Sequence, residues 1–273
     1  MLTKVEVRTP LGMLLSILMD DITDGLVIED IQGLDPVKAT LSSSPHATMP
    51  GAQFQASHRE PRNILLSLGL EPDYVSQSIR SLRDNLYSFF MPQTEVELRF
   101  FSDDAPTMDI SAVVETFQVD YFSSEPKAVA SLMCFNPDFL AFESVEIEGD
   151  TVDDSTEFLV TYEGTVETGF TFVLNVDRVV TEFSIYHRPP DNQVRTLDFA
   201  AALEADDIVT IVTVKGSKVV TLTRDSAITS ILYAVSPQSN YHQIQPGDNY
   251  FRVFAEGDPI PFTIEYTPRY GGL

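Results

Sequence analysis

The sequence predicts a mainly β protein with one α-helix: an N-terminal β-sandwich or split-barrel-like domain that carries the helix, followed by a C-terminal jelly-roll β-sandwich. Three observations carry this. Short β-branched and aromatic runs separated by turn residues fill most of the 273 residues. One stretch alone, residues 73–90, has a helical period. After Asn136-Pro137-Asp138 that period never recurs, and strand runs follow at the short spacing of a sandwich. The length suits one large or two ordinary domains. The change of character places the boundary near residue 140, giving domains 1–140 and 141–273 joined through residues 139–143.

In the first half, strands are predicted at 27–31, 62–68, 95–101, 110–122 and 128–135. Glu95-Val96-Glu97-Leu98-Arg99-Phe100 alternates strictly, as a half-buried antiparallel strand does. The helix is read from Val75, Ile79, Leu82, Leu86 and Phe89, which line one face. Pro72 and Asp73 suit its first turn and Pro92 its end. Residues 41–60 are polar, contain Pro45, Pro50 and Gly51, and predict a long loop or protruding hairpin.

The second half offers ten runs, at 145–147, 157–162, 170–176, 179–186, 194–199, 208–214, 218–223, 228–233, 250–254 and 262–266. Lys215-Gly216-Ser217 fits a tight hairpin turn.

Charge excludes some functions. The chain has 41 Asp+Glu against 17 Lys+Arg, a formal charge of −24, divided evenly between the halves. Such a surface argues against phosphate-backbone binding and against sequence-specific nucleic-acid contacts. Cys134, the one cysteine, sits in an apolar run and reads as a buried reduced thiol. The uncharged stretch 11–19 is too short to span a bilayer and is followed by Asp20-Asp21, so neither an export signal nor membrane insertion is expected.

Catalytic signatures are missing. His46, His58, His187 and His242 form no helical zinc pair, and no GxSxG, GxGxxG or GxxxxGK[ST] motif occurs. No catalytic, cofactor or metal residue is therefore assigned. Asp20-Asp21-Ile22-Thr23-Asp24-Gly25 fails the EF-hand template at its third position. The acidic residues from Glu146 to Asp154 read as a solvated hairpin tip, with a calcium loop as the alternative. Tyr186, Tyr233, Tyr241 and Tyr250 could stack on a sugar, although aromatic residues in strands more often pack in cores.

Several segments resemble one family. The run from Ile28 to Ala39, the loop Met49-Pro50-Gly51-Ala52-Gln53-Phe54-Gln55 and Arg59-Glu60-Pro61-Arg62-Asn63-Ile64 are similar to distal tail proteins of long-tailed, siphovirus-type bacteriophages. So are the helix end 82–92 and the stretch 133–139. Gln245-Pro246-Gly247-Asp248-Asn249 and the run 266–273 resemble the end of the galectin-like domain that many of these proteins carry. Pro50-Gly51 departs from the Asp-Gly common in the family and stiffens the loop. Arg59, Arg62 and Asn63 are read as candidate subunit contacts or, equally, as a solvated strand edge.

The resemblance implies a non-enzymatic virion protein, assembled in the host bacterial cytoplasm and placed at the tail tip. It implies a hexameric ring between the tail tube protein and the tail-tip hub protein, with DNA passing through the channel. The galectin-like domain would project outward, dock receptor-binding or side-fibre proteins, or act as a spacer. From the residues alone, a carbohydrate-binding β-sandwich module is the rival and a secreted β-rich hydrolase the third reading.

Overall fold

The computed structural model describes residues 1–273 except Ala47 and Tyr121. The chain forms two compact units, one of residues 1–142 with 270–273 and the other of residues 143–269.

In the first unit the elements are β1 (Leu2–Arg8), β2 (Leu14–Leu18), β3 (Leu26–Gln32), β4 (Ala39–Pro45), β5 (Ala52–Arg59), β6 (Arg62–Leu70), α1 (Ile79–Phe90), β7 (Glu95–Ser102), β8 (Met108–Val119), β9 (Lys127–Cys134) and β10 (Phe139–Ala141). An antiparallel sheet runs β2-β1-β7-β8-β9-β6-β3, and β10 adds to β8. Its strands alternate inward, so Val5, Val7, Ile17, Leu66, Leu98, Ile110 and Leu132 meet in one core. The uncharged stretch 11–19 holds half of a hairpin: Leu15 and Ile17 are buried while Leu14 and Leu18 face out.

Helix α1 closes this core with Leu82, Leu86, Phe89 and Phe90, each burial contributing about 1.5–3 kcal/mol. Phe90 stacks on Phe117 of β8 at 5.7 Å. The helix is shorter than its periodicity predicts. It starts at Ile79, because the Ser78 hydroxyl accepts the Ser81 N–H at 3.1 Å while the Ser81 hydroxyl accepts the Ser78 N–H at 2.9 Å, a capping box that fixes the first turn. Asp73 sits in a separate turn, where its carboxylate accepts the Val75 N–H, and Val75 is exposed. Its match to the helical period was coincidental. The end falls as read, since Met91 precedes Pro92 and takes extended backbone.

Strand β8 stops at Val119, short of the predicted 122, and Tyr121 in that stretch lies outside the described residues. Residues 41–60 form the hairpin β4–β5, which pairs with no other strand among the described residues; Ala47 near its tip also lies outside them. Cys134 is free and fully buried, and burial pushes its thiol up to about 11. Alkylation of Cys134 is therefore expected to be slow in the native protein and to accelerate at least tenfold on unfolding; rapid labelling of the native protein, read by mass spectrometry, would contradict this burial.

The second unit holds β11 (Val145–Asp150), β12 (Phe158–Tyr162), β13 (Phe170–Asn175), β14 (Val180–Arg188), β15 (Arg195–Leu203), β16 (Ile208–Val212), β17 (Val219–Arg224), β18 (Ala227–Ser230), β19 (Gly247–Phe254) and β20 (Pro261–Tyr266). Sheets β11-β20-β13-β16-β17-β18 and β12-β19-β14-β15 face one another across an aromatic core. Phe170 meets Phe251 edge-on at 5.6 Å, and Phe172 stacks on Phe183 at 5.9 Å. Gly216, at φ +84°, turns the chain between β16 and β17 as its tripeptide predicts. The run 228–233 is no continuous strand. Ile231, at ψ 34°, leaves the sheet, and residues 232–234 form a 3-10 turn that lifts Tyr233 into solvent.

The domain limits read from sequence put residues 141–273 together. Here Tyr270–Leu273 returns to the first unit, where β21 (Arg269–Tyr270) pairs with β10 and the Leu273 N–H donates to the Leu34 carbonyl at 3.0 Å. Among the described residues, no helix is long and apolar enough to cross a membrane.

Candidate functional site

The segment Arg59-Glu60-Pro61-Arg62-Asn63 enters β6, and the structure gives each polar side chain an internal role. Arg62 is buried. Its guanidinium donates to the carbonyls of Pro137 at 2.9 Å, Asp35 at 2.7 Å, Gly271 at 2.6 Å and Gly33, and its face lies 4.4 Å from the Phe139 ring centre. One fork thus ties the exit of β3, the turn after β9 and residues 270–273 together. Burial lowers the Arg62 pKa, while the carbonyl dipoles take the place of a carboxylate partner. Gly33, at φ +89°, is required because a Cβ there would fall 2.0 Å from the Asn63 carbonyl oxygen. Arg59 forms a two-pronged pair with the buried Asp138. Asn63 donates to Ser131 at 3.0 Å, and Ser131 donates to Glu115 at 2.8 Å. Arg62 is therefore neither a subunit contact nor a solvated edge, because it is buried and carbonyls from three loops take up its donors.

In the second unit the four tyrosines are not one platform. Arg252 covers Tyr186 at 3.9 Å, Arg188 covers Tyr250 at 4.1 Å and Lys218 lies 4.6 Å over Tyr241. Tyr233 is exposed and shares a cleft of about 490 Å³ with Tyr186, Ser184 and Asp198; Tyr241 and Tyr250 lie outside it. The four histidines also separate. His46 and His58 are on the exposed hairpin, while His187 and His242 are buried together with ring centres 5.5 Å apart. His187 stacks on Phe251 at 4.3 Å and shares a 3.0 Å hydrogen bond with Asn249. Spacing could not reveal that pair, because β14 and the stretch before β19 are joined only by the sandwich topology.

The acidic stretches are turns and edges. Asp21 accepts the Ile22 N–H and Asp154 accepts the Thr156 N–H, both at 2.8 Å, and residues 145–150 pair with β20. Among the described residues, no group of three or more His, Cys, Asp or Glu is placed to hold a metal ion.

Residues 163–270 match the family profile of the siphovirus-type tail component, C-terminal domain. The resemblance to phage distal tail proteins holds. Among solved structures, the Dit protein of phage SPP1, described as a paradigm of the hub adsorption apparatus in Gram-positive infecting phages, is 15% identical. It superposes with a TM-score of 0.70 over 97% of this chain and 98% of its own. A chain of the phage P2 baseplate in its activated conformation with Ca is 8% identical, with a TM-score of 0.49 over 97% of this chain and 98% of that one. No curated protein sequence matches. The mainly β architecture, with a single α-helix among the described residues, is thus a fold shared with the SPP1 Dit protein over nearly the whole chain, and the tail-component match lies within the sandwich unit and the start of the returning segment.

Proposed function

We propose that this chain is a structural component of a siphovirus-type phage tail, forming a hexameric ring that joins the tail tube protein to the tail-tip hub protein. The observation that carries the reading is the tail-component match over residues 163–270, set within a fold shared with the SPP1 Dit protein over nearly the whole chain. In this reading residues 1–140 build the ring and residues 141–273 supply the outward galectin-like domain, which docks receptor-binding or side-fibre proteins. The protein acts without catalysis in the virion, after assembly in the host bacterial cytoplasm. DNA crosses the ring during ejection, and a carboxylate-rich lumen would let phosphates slide by without the counterion release that holds DNA in basic channels.

Light scattering tests this. Six copies of a 30.4 kDa chain give about 182 kDa. At −24 per chain the copies repel at long range, so assembly is expected to strengthen as salt shortens the Debye length from about 30 Å at 0.01 M to about 10 Å at 0.1 M. A monomer at every concentration and salt would sink the ring and favour the rival, a carbohydrate-binding module. Of its four candidate tyrosines that rival has Tyr233, beside its cleft, as the exposed one, and it predicts sugar affinity instead of assembly.

A further inference from the structure

The β4–β5 hairpin is tied to the rest of the first unit at its base, where Arg59 pairs with Asp138, and pairs with no other strand among the described residues. Every residue of β5 is exposed, and β4 has one partly covered residue, Ser44. A two-stranded ribbon with neither face packed is marginal in water. Leu41 at 67% and Phe54 at 61% exposure are large apolar side chains with no cover. The composition is as unusual as the exposure. About one residue in seven of this chain is acidic, yet none occurs between Asp35 and Glu60, a stretch that holds Lys38, His46, His58 and Arg59. Neither strand of the hairpin brings a carboxylate to another copy.

The same unit carries a surface of opposite character. Between the start of β3, the turn before α1 and the start of β9 lies a cleft of about 840 Å³ edged by Asp24, Glu71, Asp73 and Glu125. Ile22 and Tyr74 on its walls are 52% and 77% exposed. Glu29 at its edge is already paired with Lys127 at 2.8 Å, which leaves the other carboxylates to set its sign.

We infer that the β4–β5 hairpin of one copy seats in this acidic, apolar-walled cleft of a second copy. The inference rests on the ring reading above and names its contact. Two different complementary surfaces on one unit make a heterologous interface, the kind that closes into a ring when repeated by a rotation. Leu41 and Phe54 would cover Ile22 and Tyr74, while the hairpin histidines and the exposed Lys38, which lies 3.9 Å from Glu60 in its own chain, would meet the cleft's carboxylates. A hairpin of seven and eight residues reaches roughly 25 Å, long enough to span to a neighbour.

Two variants test it: Leu41→Asp with Phe54→Asp on the hairpin, and Glu71→Lys with Glu125→Lys at the cleft. All four side chains lie outside the core, so circular dichroism and unfolding midpoints should match the parent. Each variant alone is expected to be monomeric at concentrations where the parent assembles, with at least a tenfold rise in the concentration needed. Mixed in equal amounts, they should stop at a heterodimer of twice 30.4 kDa, because one competent contact remains. A parent that never assembles would overturn the ring reading itself. A parent that assembles while both variants assemble equally well would overturn this contact and leave the ring standing. Unchanged assembly together with a loss of duplex-DNA retention in the hairpin variant would make the hairpin a nucleic-acid surface and overturn the proposal.

Discussion

Arg62→Leu is expected to destabilise the first unit by about 3–5 kcal/mol, because several buried carbonyl acceptors lose their donor at about 1–3 kcal/mol each where water does not enter. The wild-type guanidinium leaves water completely and recovers hydration through four carbonyl acceptors and the Phe139 face. Leucine fills the volume but donates nothing. The carbonyls of Gly33, Asp35, Pro137 and Gly271 would lose a strong donor inside a closed site, and each unsatisfied buried acceptor costs about 1–3 kcal/mol unless water enters. Arg62→Lys keeps the charge yet offers a point ammonium in place of a planar fork, so it should recover less than half of the loss. The segment 270–273 gives a second readout, since Gly271 is held by Arg62. Amide exchange at Leu273, whose N–H bonds the Leu34 carbonyl, should speed up in Arg62→Leu before global unfolding. A denaturation midpoint and a Leu273 exchange rate both equal to wild type would show that the fork is dispensable. By the same logic, a truncated chain ending at Phe142 loses one of the four acceptors and should be less stable than one that keeps residues 270–273 in place.

Much of the architecture was legible because alternation and turn chemistry are local. Glu95–Ser102, Phe170–Asn175 and the Gly216 turn follow from period two and a positive φ, and the stop at Pro92 follows from proline sterics. What failed needed information from outside the local stretch. Val75 fits a helical period, yet the Ser78–Ser81 box decides where the helix starts, and a capping box of two serines lacks the usual glutamate signal. Arg62 looks like an interface arginine in sequence, since only tertiary structure brings Gly33, Pro137 and Gly271 to its donors. The carboxylate-free stretch between Asp35 and Glu60 was in plain view as composition. Its meaning appeared once β4 and β5 proved to be unpacked, because a neutral stretch buried in a core would signify nothing.

Lowering the pH from 7.5 to 5 is expected to destabilise the second unit by about 4 kcal/mol through His187 and His242. Both rings are buried, with His187 pulled down to about 4 and His242 to about 3, in each case chiefly because burial disfavours the charged imidazolium. Nδ1 of His187 and both ring nitrogens of His242 lack a well-formed hydrogen bond, with the Ile185 backbone giving His242 weak support. The groups facing them do not rescue the cation. Asn249 is neutral, Arg195 opposes protonation, and the Asp191 carboxylate that favours it is paired with Arg195 at 2.6 Å. The folded pKa values are therefore depressed, and the unfolded chain takes up protons first. The stabilisation is complete above the unfolded value of about 6.5 and is lost as pH falls toward the folded values, at about 2 kcal/mol per histidine by pH 5. Net charge works in the opposite direction. Acidification of a −24 chain relieves self-repulsion, so a protein governed by surface charge would gain stability over the same interval. The sign of the change thus separates the two effects. Urea unfolding at pH 7.5, 6 and 5, followed by tyrosine fluorescence, should show the falling midpoint, and His187→Phe with His242→Leu should flatten it. A midpoint that rises as pH falls to 5 would mean that surface charge governs the stability of this unit over the interval.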